Sequence, residues 1–119
     1  MQTTQSAPIA AIATAQAPGA IGIVRISGSG AMAIADRIFR PVSGTRLSDS
    51  PGYRAHYGQL TDDSGPFDDG VATVFRAPRS YTGEDCVELS CHGGVYLTRR
   101  VLRAALAAGA RMAQPGEFT

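Results

Sequence analysis

Short apolar runs separated by polar turns dominate the chain, and the first two of these runs predict strands. Residues 9–14 are small and apolar, and residues 20–27 are rich in isoleucine and valine. Runs of this length and composition favour β-strands. Pro18 and Gly19 lie between the two runs and are a turn signal. The sequence therefore predicts two strands joined by a short loop.

In residues 31–39 the spacing of apolar residues changes from the two-residue period of a strand to the 3.6-residue period of a helix. Their apolar side chains recur on one side of a helix, so we predict a short helix here. Ser29 is available as its N-cap, and Pro41 stops it. The polar, turn-rich residues 42–52 are predicted to form a loop without chemistry of its own.

The second half of the chain again favours strands. Residues 53–60 and 70–77 are strand-like, and the acidic, glycine-containing segment 61–69 suits a hairpin connection between them. Residues 86–92 are predicted to be a further strand. An antiparallel group of strands is therefore expected.

A second helix is predicted over residues 95–108, with Gly109 as its C-terminal cap. Residues 111–113 are predicted to be a final edge strand. The expected fold class is α+β, with a mixed, largely antiparallel sheet covered by two main helices. We expect one domain over residues 1–119, since a chain of this length has room for one core.

Composition narrows the function classes. With a net charge of +1, the protein has no strong overall electrostatic attraction to nucleic acid or to a membrane surface. No apolar run approaches the roughly 18 residues of a membrane span, and no basic residue precedes the short apolar stretch at the N-terminus, so we expect a cytoplasmic protein without a membrane partner. All eleven basic residues are arginine, so the chain has no lysine for a Walker P-loop and is not expected to hydrolyse GTP by itself.

The two cysteines are not expected to form a disulfide or a metal site. Cys86 and Cys91 lie five positions apart in one predicted strand, which places them about 16 Å apart on opposite faces. A zinc site would need them together with His92 and the distant His56, and this spacing matches no tetrahedral zinc site. We also expect no catalytic residue, because no nucleophile is paired with a base in a known motif.

Arg25 and Glu88 are the candidate binding residues. Arg25 interrupts a β-branched run and needs an acidic partner or an anionic ligand if it is buried. Glu88 lies on the polar side of the 86–92 strand and is a plausible partner. Two interpretations remain open: the two side chains line a ligand pocket, or they are solvated or paired for structural reasons.

Two weaker features also have open interpretations. His92, followed by Gly93 and Gly94, would let the N-terminus of the second helix approach an anion, but His92 suits capping or packing equally well. Three arginines on the polar side of that helix either contact phosphate or form a solvated face, and the absence of interleaved aromatic residues favours the solvated face. They are Arg99, Arg100 and Arg103.

Three separated blocks carry a family resemblance. They are IAT at 12–14 with GAIGIVRISG at 19–28, APRSYTGEDCVELSCHGG at 77–94, and AGARMAQPGEFT at 108–119. In order and content they resemble the amino-terminal region of the MnmE (TrmE) family of bacterial tRNA modification GTPases. Relatives usually have a Gly-Arg-Gly loop before the second strand, whereas residues 15–19 lack the arginine.

The resemblance implies a domain similar to the tetrahydrofolate-binding domain of aminomethyltransferases, which forms a homodimer and binds 5-formyl-tetrahydrofolate at the dimer interface. In that family the arginine of the GIVRISG block and the glutamate of the VEL block contact folate, which here are Arg25 and Glu88. A family lysine that also contacts folate would lie beyond residue 119. We therefore expect this chain to be the N-terminal part of a longer protein.

The longer protein would resemble an enzyme that modifies carbon 5 of the wobble uridine of tRNA with a flavin- and NADH-dependent partner protein. Its helical and GTPase domains would follow this chain, and GTP, magnesium and potassium would bind in the GTPase domain. Two alternatives are a folate-dependent one-carbon transferase domain and a dimerisation or partner-docking module that does not bind folate.

Overall fold

The computed structural model describes residues 7–13, 21–77, 83–92 and 94–117. Within these residues the strands are β1 Ile9–Ile12, β2 Gly22–Ser27, β3 Phe39–Pro41, β4 Arg54–Asp62, β5 Gly65–Phe75, β6 Cys86–Cys91 and β7 Arg111–Met112. The α-helices are α1 Ala31–Ile38 and α2 Val95–Ala107, and a 3₁₀ turn spans Leu47–Asp49.

The described strands form one seven-stranded sheet in the order β3-β4-β5-β6-β2-β1-β7. All neighbouring strands are antiparallel except β1 and β7, which are parallel. The expected fold class is therefore confirmed: this is an α+β structure with a mixed, largely antiparallel sheet and two main helices. α2 is the longest described helix, and no described helix is long and apolar enough to cross a membrane.

Both helices pack with their apolar sides against the sheet. Each strand alternates its side chains between two faces, so one face of the sheet packs against the helices and the other, here called the open face, points away from them. The helices contribute Met32, Ile34, Ile38, Val101 and Leu102 to this core, and the sheet contributes Val24, Ile26, Ala72, Val74, Val87 and Leu89. Burial of these side chains is the main term that stabilises the fold.

Three element boundaries differ from the sequence-based predictions. The chain continues from α1 directly into β3, which the sequence did not predict, and Pro41 is tolerated there because β3 is an edge strand. The expected 61–69 connection is mostly strand, because β4 and β5 are joined by a two-residue turn at Asp63 and Ser64. β1 ends at Ile12 rather than at residue 14, although residues 14–20 lie outside the described part of the chain.

Of the two predicted helix caps, one is wrong and one is confirmed. Ser29 is not the N-cap of α1; Gly30 holds that position with φ of 90° and without a side-chain cap. Gly109 ends α2 as expected, with φ of 124°. The amide of Gly109 donates to Leu106 and the amide of Ala110 donates to Ala105, which is the Schellman pattern.

One glycine is required by close packing between β2 and α2. A Cβ atom added at Gly22 would lie 1.9 Å from Oγ1 of Thr98. Thr98 is buried, and its hydroxyl donates to the carbonyl of Gly94 at 2.9 Å. Any larger residue at position 22 would therefore push α2 away from the sheet.

Candidate ligand-binding face of the sheet

Arg25 and Glu88 lie directly opposite each other on the neighbouring strands β2 and β6. The Arg25 Nε donates to Glu88 Oε2 at 2.8 Å, and Arg25 Nη2 lies 2.7 Å from the same oxygen. The side chains are 19% and 24% exposed. The expectation that Glu88 is the partner of Arg25 is confirmed, and the pair lies on the open face of the sheet, since Val24 and Ile26 point into the core.

Small side chains flank this pair along the same row of the sheet. Ala11 of β1 lies opposite Arg25, and Thr73 of β5 lies opposite Glu88. Directly opposed residues have Cβ atoms about 4.5–5.5 Å apart, so Ala11 and Thr73 are the immediate neighbours of the two charged groups. The row beside the ion pair is thus lined by short side chains.

Apolar side chains extend the open face beyond the charged pair. Ile23 of β2 belongs to the next row, in line with Ser90 and Val71. Ile21 and Tyr57 are 65% and 77% exposed. Together with Val71 and Ser90, they line a shallow pocket of about 180 Å³. The face thus combines one ion pair with an apolar surface, which is the composition of many small-molecule sites.

His92 lies at the rim of this pocket and is held by Asp68. Its backbone N–H donates to Asp68 Oδ2 at 2.8 Å, and its ring Nδ1 lies 2.9 Å from Asp68 Oδ1. The hydrogen bond to this carboxylate raises the pKa of His92. The ring is largely exposed, so of the two interpretations the structure favours a residue that fastens the end of β6 to β5.

The cysteines are both free and buried. Burial raises the pKa of Cys86 to about 12 and also raises that of Cys91. Cys91 Sγ lies 3.7 Å from Thr98 Oγ1 inside the core. Within the described ranges, no group of three or more His, Cys, Asp or Glu side chains lies close enough to hold a metal ion.

Arg100 is not part of a solvated face of α2, in contrast to the interpretation that the sequence favoured. Its Nε donates to Asp62 Oδ2 at 2.7 Å and its Nη2 donates to Oδ1 at 3.2 Å. The guanidinium also lies 4.4 Å from the ring centroid of Phe67. Arg99 and Arg103 are exposed, which is compatible with both interpretations. The solvated interpretation is therefore wrong for Arg100, whose partner lies 38 positions earlier in the chain.

A group of hydrogen bonds centred on one arginine lies next to the second resemblance block, residues 77–94. The sequence did not predict it. Arg76 donates to the carbonyls of Ser48 and Ser50 and to Asp85 Oδ2. Asp85 Oδ1 accepts from the amide of Ala77, so Asp85 contacts both Arg76 and Ala77. Segment 78–82 and the altered 15–19 loop lie outside the described residues. An arginine at the end of a strand was the only available signal.

The architecture defines the class first: an α+β domain with one helix-covered sheet face and one open face that carries an ion pair. Comparison with known proteins then gives the family. The profile of the family described as "GTP-binding protein TrmE N-terminus" matches residues 8–119, and the chain belongs to this family.

Curated relatives carry a consistent name. The chain is 54% identical over 113 residues to a "tRNA modification GTPase MnmE" of Chlorobaculum tepidum, covering 94% of this chain and 24% of that protein. It is 53% identical to the protein of the same name from Shouchella clausii, with 93% and 24% covered. The Geobacillus kaustophilus protein is 49% identical, with 98% and 26% covered. The chain thus spans about a quarter of the length of these relatives.

Proposed function

We propose that residues 1–119 are the folate-binding and dimerisation domain of a tRNA modification GTPase in the cytoplasm. In the whole protein, GTP, magnesium and potassium bind in another domain. The whole protein modifies carbon 5 of the wobble uridine of tRNA together with a flavin- and NADH-dependent partner. The relatives named above support the tRNA-modifying and GTPase parts of this proposal.

The observation that carries the folate proposal is the Arg25–Glu88 pair on the open face. Arg25 Nε and Nη2 both contact Oε2 of Glu88, which holds the carboxylate in one orientation. A carboxylate fixed in this way accepts hydrogen bonds from the N–H groups of a planar heterocycle. In this proposal the ring lies over the small neighbours Ala11 and Thr73.

These residues therefore fit 5-formyl-tetrahydrofolate, which supplies a one-carbon unit when bound. Glu88 would accept hydrogen bonds from the pterin ring, and Arg25 would orient Glu88 and offer its guanidinium to a carbonyl or carboxylate of the ligand. The adjacent apolar surface of Ile23 and Val71 would exclude water from the ring. The role of the pair is binding and orientation rather than proton transfer.

The exposed apolar side chains of the open face support the dimerisation proposal. Ile21 and Tyr57 are mostly exposed beside Val71 and Ile23. Two copies related by a twofold axis would place the same patch on both sides of the interface and remove it from water. Folate bound at the Arg25–Glu88 pair would then lie next to the second copy.

Calorimetric titration of 5-formyl-tetrahydrofolate tests the folate proposal, in a protein that includes this chain and the segment with the expected lysine. Arg25→Met and Glu88→Gln should each weaken binding by about 10- to 100-fold, the value of a hydrogen bond to a charged group. Arg54→Met is the matched control, since Arg54 is exposed on β4 and lies outside the pair. Unchanged binding in both pair variants would refute the site.

The docking-module alternative has one observation in its favour, since Arg25 and Glu88 satisfy each other without a ligand. Sedimentation of the same protein tests for the dimer, and the folate titration then separates the two alternatives. A dimer that binds no folate would support the docking module, whereas a dimer that binds folate through Glu88 supports the main proposal.

A further inference from the structure

A second concave surface lies away from the Arg25–Glu88 pair. It is a groove of about 620 Å³ between the end of α1, strand β3, the β4–β5 turn and α2. Four arginines line it and come from three separate elements: Arg37, Arg40, Arg100 and Arg103. The acidic residues that line it are Asp62 and Asp63. The groove shares no lining residue with the candidate folate site.

The charges of the groove do not cancel. Asp62 is engaged by both contacts from Arg100, so these two groups neutralise each other. Arg37 donates to the carbonyl of Ala108 at 2.6 Å, which fixes its guanidinium at the groove wall without an acidic partner. Arg40 and Arg103 are exposed and form no ion pair among the described residues. Three arginines therefore face the groove against Asp63.

An aromatic side chain lies among these arginines. Tyr96 lines the groove and is 65% exposed. It precedes Arg100 by four positions on α2, so the two side chains are neighbours on one side of the helix. An exposed aromatic ring between arginines offers a stacking surface for a nucleic-acid base in addition to phosphate contacts.

We infer that this groove binds the phosphodiester backbone of an RNA. The inference rests on the tRNA-modifying role proposed above and adds a contact surface that the role does not specify. Arginine forks pair with phosphate oxygens, and the exposed Tyr96 ring suits an unstacked base. An acidic protein surface is the alternative occupant, and the polyglutamate competition described below distinguishes it from RNA.

Fluorescence anisotropy with a labelled, unmodified tRNA transcript tests this inference across 50–200 mM KCl. The double variant Arg40→Glu with Arg103→Glu should bind at least fivefold more weakly at 50 mM. Its slope of log affinity against log salt should fall by about 1.4–1.8, since each of the two lost phosphate contacts removes roughly 0.7–0.9. Arg46→Glu with Arg54→Glu is the charge-matched control, because both arginines are exposed and lie outside the groove.

The inference is overturned if both double variants lose the same affinity, because the effect would then be one of net charge. It is also overturned if polyglutamate of equal charge competes as well as RNA does, or if Tyr96→Ala binds like the unchanged chain. Folate titration of the groove variants separates the two proposals. Retained folate binding with weakened tRNA binding supports the groove, whereas retained tRNA binding refutes the groove and leaves the folate site intact.

Discussion

The Arg25–Glu88 pair should contribute measurable coupling energy to stability, and a double-mutant cycle tests this. Glu88→Gln keeps the shape of the side chain and removes its charge. Arg25→Met keeps an apolar stem and removes the guanidinium. The cycle needs these two variants, their combination and the unchanged chain.

The structure sets the expected magnitude. The two contacts are 2.7 and 2.8 Å long, and the side chains are 19% and 24% exposed. An exposed ion pair contributes about 0.2–1 kcal/mol, and breaking a fully buried pair costs about 3–5 kcal/mol. Arg25 and Glu88 lie between these limits, so we expect a coupling energy of about 1–2 kcal/mol in the free energy of unfolding.

Urea unfolding followed by circular dichroism measures this coupling, with the free energies compared at equal m-values. The exposed pair Arg46–Asp49 is the internal control. Its N–O distance is 3.2 Å and its side chains are 71% and 58% exposed. The same cycle there, with Arg46→Met and Asp49→Asn, should give a coupling energy near zero.

Salt distinguishes the two pairs further. At about 1 M salt the Debye length is roughly 3 Å, so exposed pairs are screened more than partly buried pairs. We expect the Arg25–Glu88 coupling to retain at least half of its value. A coupling below about 0.3 kcal/mol at low salt, or one equal to that of Arg46–Asp49, would refute the reasoning, because it lies within the error of additivity.

Three other predictions follow from single contacts. Gly22→Ala should lower the free energy of unfolding by about 1–3 kcal/mol, since its Cβ would overlap Thr98 Oγ1, and adding Thr98→Ala should recover part of this loss in thermal unfolding. Cys86 should not react with a thiol reagent in native buffer at pH 8 but should react in urea, because burial raises its pKa to about 12; native labelling would contradict this. The pKa of His92 measured by NMR should lie above 6.5 and fall in Asp68→Asn. Since the folded-state pKa is the raised one, the Asp68 contact stabilises the protein fully below pH 6.5 and loses this effect as pH rises through the folded-state pKa.

Local sequence patterns were sufficient to predict most of the strands and both helices. The alternation in β6 correctly separated core from polar side chains, and the helical period of residues 31–39 located α1 within one residue. They were insufficient for β3, because three residues after a helix carry no period of their own. β3 exists because Pro41 and its neighbours find hydrogen-bond partners on β4.

The two candidate sites also differ in how far the sequence could predict them. Arg25 and Glu88 were identifiable from the sequence because Arg25 interrupts an apolar run, Glu88 follows a clear polar alternation, and each lies in a block of family resemblance. The groove was not identifiable, because Arg37 and Arg40 are separated from Arg100 by about sixty positions. The aromatic ring expected among basic residues at an RNA surface is Tyr96, which tertiary packing places beside arginines from another element.

The sequence by itself therefore determined the fold class, the two faces of the sheet and the family, since all three depend on the order of residue types along the chain. Only the tertiary structure decided that Arg25 pairs with Glu88 at 2.7 Å, that Asp62 engages Arg100, and that the remaining arginines share one groove. The physical reason is that strand register and helix packing fix the distances between residues remote in sequence, and charge interactions depend on those distances.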